Sequence, residues 1–137
     1  MRVQLTGHVN VPQPATDSLQ LFTPRGEERW VPGWKPRFPE PAPDDTAPGT
    51  VFETTGHGET TTWVVIDRTP DRVSYARVTP GSRAGTVTVQ ARDTTVEVTY
   101  DLTALSAAAE PALEEFAAGY GDFLKGWEAA IAEAGLA

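Results

Sequence analysis

Apolar and polar residues alternate strictly at the start of the chain, with Val3, Leu5, Gly7, Val9 and Val11 set against Arg2, Gln4, Thr6, His8 and Asn10. A period of two is that of a half-buried strand, so a strand is predicted over 3–11. The far end has a different period. Leu113, Phe116, Tyr120, Phe123, Leu124, Trp127 and Ile131 recur at steps of three, four, three, one, three and four, with Glu114, Glu115, Asp122, Lys125 and Glu128 between them, which predicts an amphipathic helix over 111–137. Pro111 suits its first turn and Glu114 and Glu115 its positive end. Gly119 and Gly121 cost roughly 1 kcal/mol each inside a helix and mark either a bend, a close approach to a sheet, or weak local propensity.

Between these ends the pattern predicts a short helix over 17–22, capped by Thr16 or Asp17, a second helical turn over 26–31, and five strands over 50–55, 60–68, 72–79, 85–93 and 95–102. The connections Gly56-His57-Gly58, Thr69-Pro70-Asp71, Pro80-Gly81-Ser82 and Asp93-Thr94 are short and rich in turn formers. Parallel crossovers need a dozen residues or more, so the strands form an antiparallel meander. Val87, Val89 and Ala91, with Val96, Val98, Tyr100 and Leu102, give the sheet one dry face. Six prolines fall within 32–48, beside Trp34 and Phe38; they rule out most regular hydrogen bonding there, and the two rings predict an ordered flap rather than a linker.

The order of strand, two short helices, meander and long closing helix resembles the helix-grip fold of the START-like superfamily, which includes Bet v 1-like proteins, polyketide cyclases and Hsp90-activator-homology domains. The resemblance spans nearly the whole chain and is strongest to the small bacterial SRPBCC, or polyketide cyclase/dehydrase-like, proteins. It is carried by Leu21-Phe22-Thr23-Pro24 with Gly26-Glu27-Glu28-Arg29-Trp30-Val31-Pro32-Gly33-Trp34, by Gly49-Thr50-Val51-Phe52 and Thr62-Trp63-Val64-Val65, and by Tyr75-Ala76-Arg77-Val78-Thr79-Pro80-Gly81 with Tyr100-Asp101-Leu102-Thr103-Ala104-Leu105. It implies an α+β domain over 1–137, a curved sheet of six or seven strands around the closing helix, and binding of apolar small molecules between them. Six strands are read; the place for a missing or very short seventh is near Trp34 to Phe38.

A curved sheet and a cylinder match better at their edges than at their middle, so a cavity is expected between them. Trp30, Trp34, Phe38, Phe52, Trp63, Tyr75, Tyr100, Phe116, Tyr120 and Trp127 are its expected walls, able to stack on a flat apolar ligand. The same rings packed on one another would instead make a filled core. Arg77 shares strand parity with Val73 and Tyr75, which points it at a ligand carboxylate or phenolate; a bulge would turn it to solvent. Tyr100 and Tyr120 offer hydroxyls to a ligand or to backbone carbonyls.

Composition narrows the chemistry. A length of 137 residues suits one domain that buries about two thirds of the surface its unfolded form exposes. With no Cys there is no disulfide, thiol nucleophile or thiolate metal site, which suits a reducing cytoplasm. The first residues lack the apolar core of a signal peptide, and no run approaches a membrane span, so a soluble cytoplasmic protein is expected. A net charge of −8 with scattered Lys and Arg argues against nucleic acid. His8 falls on the wet side of the first strand, and His57 sits at a hairpin tip where, with Glu59, it is either a turn residue or an acid or base over the cavity mouth. The two His show no metal spacing, Gly56 to Thr61 is no nucleotide loop, and Gly81-Ser82-Arg83-Ala84-Gly85 is no nucleophile elbow. Asp44-Asp45 reads as a solvated loop pair.

No catalytic residue, metal or cofactor is therefore assigned. The leading expectation is a carrier or sensor of an apolar or aromatic small molecule; a cyclase or dehydratase using Arg77, Tyr120 and His57 comes second, and a protein-interaction module resembling the Hsp90-activator homologues third. An exposed edge strand leaves a homodimer open.

Overall fold

The computed structural model describes residues 1–136. In chain order the elements are strand β1 (Arg2–Asn10), helix α1 (Ala15–Leu19), a 3₁₀ turn (Gln20–Phe22), helix α2 (Pro24–Glu27) and strands β2 (Val51–Gly56), β3 (Glu59–Thr69), β4 (Arg72–Thr79), β5 (Arg83–Arg92) and β6 (Thr95–Ala104). A second 3₁₀ turn (Ala107–Ala109) leads into helices α3 (Glu110–Ala118) and α4 (Tyr120–Glu133). One antiparallel sheet has the order β1-β6-β5-β4-β3-β2, so the first strand closes against the last and the meander fills the rest.

Four tight turns set this register. Between the paired residues Gly56 and Glu59 only His57 and Gly58 remain, at φ 52° and 77°, the left-handed pair that a two-residue hairpin needs to match strand twist. The register shift between Val65 and Asp67 leaves Ile66 as an extra residue on the convex face. Inward parity survives on the far side of the sheet. Val65, Tyr75, Val87, Tyr100 and Leu5 lie in one cross-strand row, and Trp63, Arg77, Gly85, Leu102 and Val3 in the next.

The expected short helix begins two residues early, and its predicted cap is absent: Pro14 precedes α1, and no side chain caps it. Thr23 instead caps α2, its Oγ1 accepting from the Gly26 amide at 3.0 Å. Gly26 is required there, since a Cβ would sit 1.8 Å from the Gln20 carbonyl oxygen. The short seventh strand is reduced to a single bridge, in which Arg37 and Glu53 exchange two 2.8 Å backbone hydrogen bonds at the edge of β2 and pair through their side chains. Pro36 and Pro39 flank the bridge and lack the N–H groups that would extend it.

The predicted single helix is two segments meeting at Gly119 (φ −98°, ψ 11°), so the glycine marks a local break. Position 137, the predicted end, lies outside the described residues. Glycine also sets the approach of α4 to the sheet. A Cβ on Gly7 would lie 2.5 Å from Leu124 Cδ1 and 3.3 Å from Tyr120 Cε2, so the bare backbone of β1 lets the helix settle onto it. Tyr120 then donates to the Val98 carbonyl at 2.6 Å, and the Glu128 carboxylate accepts from the Asn10 amide at 2.6 Å.

Candidate functional site

Rings on the concave face fall into two sets. In the first, Phe22, Trp30 and Trp127 pack mutually with centroids 5.5 to 5.9 Å apart. Beside them Phe52 stacks on Trp63 at 5.6 Å, with Trp34, Phe38 and Tyr75 set around that pair. Their polar atoms are used locally: Trp30 donates to the Leu21 carbonyl, Trp34 to that of Pro24, Trp63 to Thr54 Oγ1 and Tyr75 to the Phe22 carbonyl, at 2.7 to 3.0 Å. Trp30, Trp34, Phe38, Phe52, Trp63, Tyr75 and Trp127 therefore pack ring on ring, and Tyr120 turns its hydroxyl to Val98. None of these eight is among the residues that line the cavity described next, and the rings from the α2 region, the flap, β2–β4 and α4 interlock with one another.

The second set does border open space. A cavity of about 440 Å³ lies between the sheet and α3, lined by Arg77, Tyr100, Leu102, Leu113, Phe116 and Phe123, with His57, Glu59, Ser82, Arg83, Ala109 and Ala112 toward its mouth. In the row Trp63, Arg77, Gly85, Leu102 and Val3 the central position brings no side chain, and a Cβ on Gly85 would lie 1.8 Å from the Asp101 carbonyl oxygen, so none can be added without moving β6. Beside Phe116 the helical segment contributes the small residues Ala109 and Ala112 to the lining. Tyr100, Phe116 and Phe123, with centroids 5.1 to 6.1 Å apart, form the ring wall.

Arg77, whose orientation parity left open, faces inward. Its guanidinium lies over the Trp63 ring at 4.6 Å and Nη2 donates to Thr79 Oγ1 at 3.3 Å, while the buried Nε has no hydrogen-bond partner. Burial lowers the group to about 10, which leaves it cationic at neutral pH. Burial pushes the Tyr100 phenol well up. Its hydroxyl, unlike those of Tyr75 and Tyr120, makes no hydrogen bond to a described residue. At the mouth Arg83 pairs with Glu59 at 3.3 Å, and the His57 turn stands beside them.

Sequence reasoning missed Leu102, Leu113 and Phe123 as lining residues although they sit on the apolar faces already drawn. It also missed Arg83, which shares the parity of Gly85 and Val87, and Glu27. Glu27 is half-buried, and that burial pushes its carboxyl above the ordinary carboxylate range; Tyr75 and Tyr100 lie within its field. Asp44 and Asp45 do structural work, accepting from Thr46 and from the Arg25 amide at 3.1 and 2.9 Å. His8 lies 3.5 Å from Glu97, its cross-strand partner on the convex face. Among the described residues no group of three or more His, Asp or Glu could hold a metal ion, and no helix is long and apolar enough to cross a membrane.

Known structures with this arrangement share little sequence with the chain. The ginseng major latex-like protein 151 from Panax ginseng matches at a TM-score of 0.69 and 13% identity, over 96% of this chain and 95% of that one. Ara h 8.0201 matches at a TM-score of 0.60 and 12% identity, over 97% and 99%. The chain adopts the Bet v 1-like helix-grip fold. DynU16, a protein of the dynemicin biosynthetic locus, has the same fold at a TM-score of 0.62 and 18% identity, over 96% of this chain and 48% of its own length, so the chain spans about half of it. No protein-family model and no curated protein matches the chain. Within the helix-grip frame, the hollow between sheet and closing helix is the place where side-chain chemistry differs from a filled core.

Proposed function

We propose that this helix-grip protein is a binder, a carrier or sensor, of an apolar or aromatic small molecule held between the sheet and α3. One observation carries the reading. In an interior otherwise packed ring on ring, a hollow of about 440 Å³, inside the range that small-molecule sites occupy, is walled by Tyr100, Leu102, Leu113, Phe116 and Phe123. Flat ligands gain from edge and face contacts with the three rings, and the open side between the His57 turn and Ala112 gives an entrance. The membership of Arg77, Tyr100 and Phe116 in the site belongs to this proposal, with Leu102 and Phe123 added.

The test is a thermal-shift and tryptophan-fluorescence screen with naphthalene-sized aromatics and fatty acids. A ligand raises Tm with the logarithm of its concentration and perturbs Trp63, which lies against Arg77. A panel in which no compound moves either signal would remove the proposal.

A second reading, a cyclase or dehydratase, draws on Glu27. A carboxyl that burial raises well above the ordinary carboxylate range, in the field of two phenols, is a candidate proton donor to a substrate that reaches past the cavity's own lining, of which Glu27 is not a part. Tyr120 leaves that mechanism, since its hydroxyl is spent on Val98. Incubation with a linear polyketone, with products resolved by mass spectrometry, tests it: Glu27→Gln must slow turnover, and an unchanged rate would exclude the acid role.

A further inference from the structure

The lining is electrostatically unlike the rest of the molecule. On a chain of net charge −8, Arg77, Arg83 and Glu59 give the cavity one net positive charge. Glu59 is engaged by Arg83, so the deeper cation has no carboxylate partner among the described residues. Arg77 is held by a ring face and a threonine hydroxyl, neither of which carries a compensating charge, and its Nε donor is unmet. A buried, incompletely paired guanidinium is an expensive arrangement for a purely structural residue. The Tyr100 hydroxyl, also without a partner, lines the same space.

We infer, on the ligand reading above, that the cavity selects monoanionic acids: a flat apolar body against Tyr100, Phe116 and Phe123, with its single carboxylate on the Arg77 guanidinium and in reach of the Tyr100 hydroxyl. The charge count sets the class. One carboxylate neutralises the one uncompensated cation, whereas a phosphate dianion would leave a charge buried without a partner. Trp63 holds the planar guanidinium from behind, so the cation is positioned before the ligand arrives.

Calorimetric titration at pH 7.5 with three matched probes, 1-naphthoic acid, 1-naphthamide and 1-naphthyl phosphate, tests the inference on the intact protein. The acid is expected to bind about 10- to 100-fold more tightly than the amide, the span of a charge-assisted hydrogen bond, and also more tightly than the phosphate. In Arg77→Met the preference for the acid over the amide disappears while amide binding persists, which also reports that the variant is folded. Tyr100→Phe weakens the acid several-fold and leaves the amide less affected. Equal binding of acid and amide by the unaltered protein would overturn the inference and leave the ligand reading standing, and so would a preference for the phosphate. If no naphthalene probe binds, acid included, both fall together.

Discussion

The two halves of the concave face hold the same kinds of residue and reach opposite results. Under α2 and the flap, Phe22, Trp30, Trp34, Phe38, Phe52 and Trp63 meet at 5.5 to 6.4 Å, and every indole N–H among them has a local acceptor. Under α3, Tyr100, Phe116 and Phe123 are as closely spaced, yet they edge a cavity. Ring content is thus a poor guide to where a hollow lies. Small positions accompany the open half: Gly85, between Arg77 and Leu102 in one cross-strand row, brings no side chain, and Ala109 and Ala112 are part of the lining. Close packing tolerates few voids unless the backbone prevents their closing, and the 1.8 Å approach at Gly85 is such a constraint.

Truncation in the filled half gives the largest expected effect. Phe22 is 1% exposed, and Phe22→Ala should lower unfolding stability by about 3–5 kcal/mol in urea titrations, the range for buried aromatic truncations. Enlargement separates the halves next. Val98→Phe, at a fully buried site, should cost about 1–3 kcal/mol, whereas Leu102→Phe, which grows into the hollow, should change stability by less and abolish binding of naphthalene-sized ligands. Equal costs at the two positions would mean that the halves are packed alike. Removing the unmet cation should move stability the other way: Arg77→Met is expected to stabilise the empty protein by about 1–2 kcal/mol, read in the same titration, since a buried charge without a full partner is replaced by an apolar chain.

Protonation gives the smaller effects. Glu27 has its folded pKa raised by burial, so the folded state holds a proton that the unfolded chain releases; its contribution is complete below the unfolded carboxylate range and is lost as pH rises toward the folded value. Glu27→Gln should therefore flatten the fall of Tm above about pH 4.5, and an unaltered profile would mean that the carboxyl is hydrated. Asp101 behaves oppositely. The Arg2 hydrogen bonds, at 2.8 and 2.6 Å, hold it down at about 2, so its stabilisation is present above the unfolded value and vanishes as pH falls through the folded one. The pair lies on the exposed convex side, and Asp101→Asn should cost no more than about 0.5 kcal/mol at neutral pH and less in high salt.

Periodicity alone placed the strands within about two residues of their observed ends, found the closing helix and identified the dry face, because side-chain period is a local property that each segment displays by itself. It also put Tyr100 and Phe116 on the apolar faces of their strand and helix, whereas parity left the side that Arg77 serves open. Local pattern contained no measure of how side chains from separate elements share volume, so it left open whether Trp30, Trp34, Phe38, Phe52, Trp63, Tyr75, Tyr120 and Trp127 would wall a cavity or pack on one another. Glu27 and the Arg83–Glu59 pair were equally hidden, as each depends on residues distant in sequence. The order of elements and their inward faces were written in the chain; where the interior left a hollow was decided only when the sheet met α3 and α4, because volume is a property of the assembled layers.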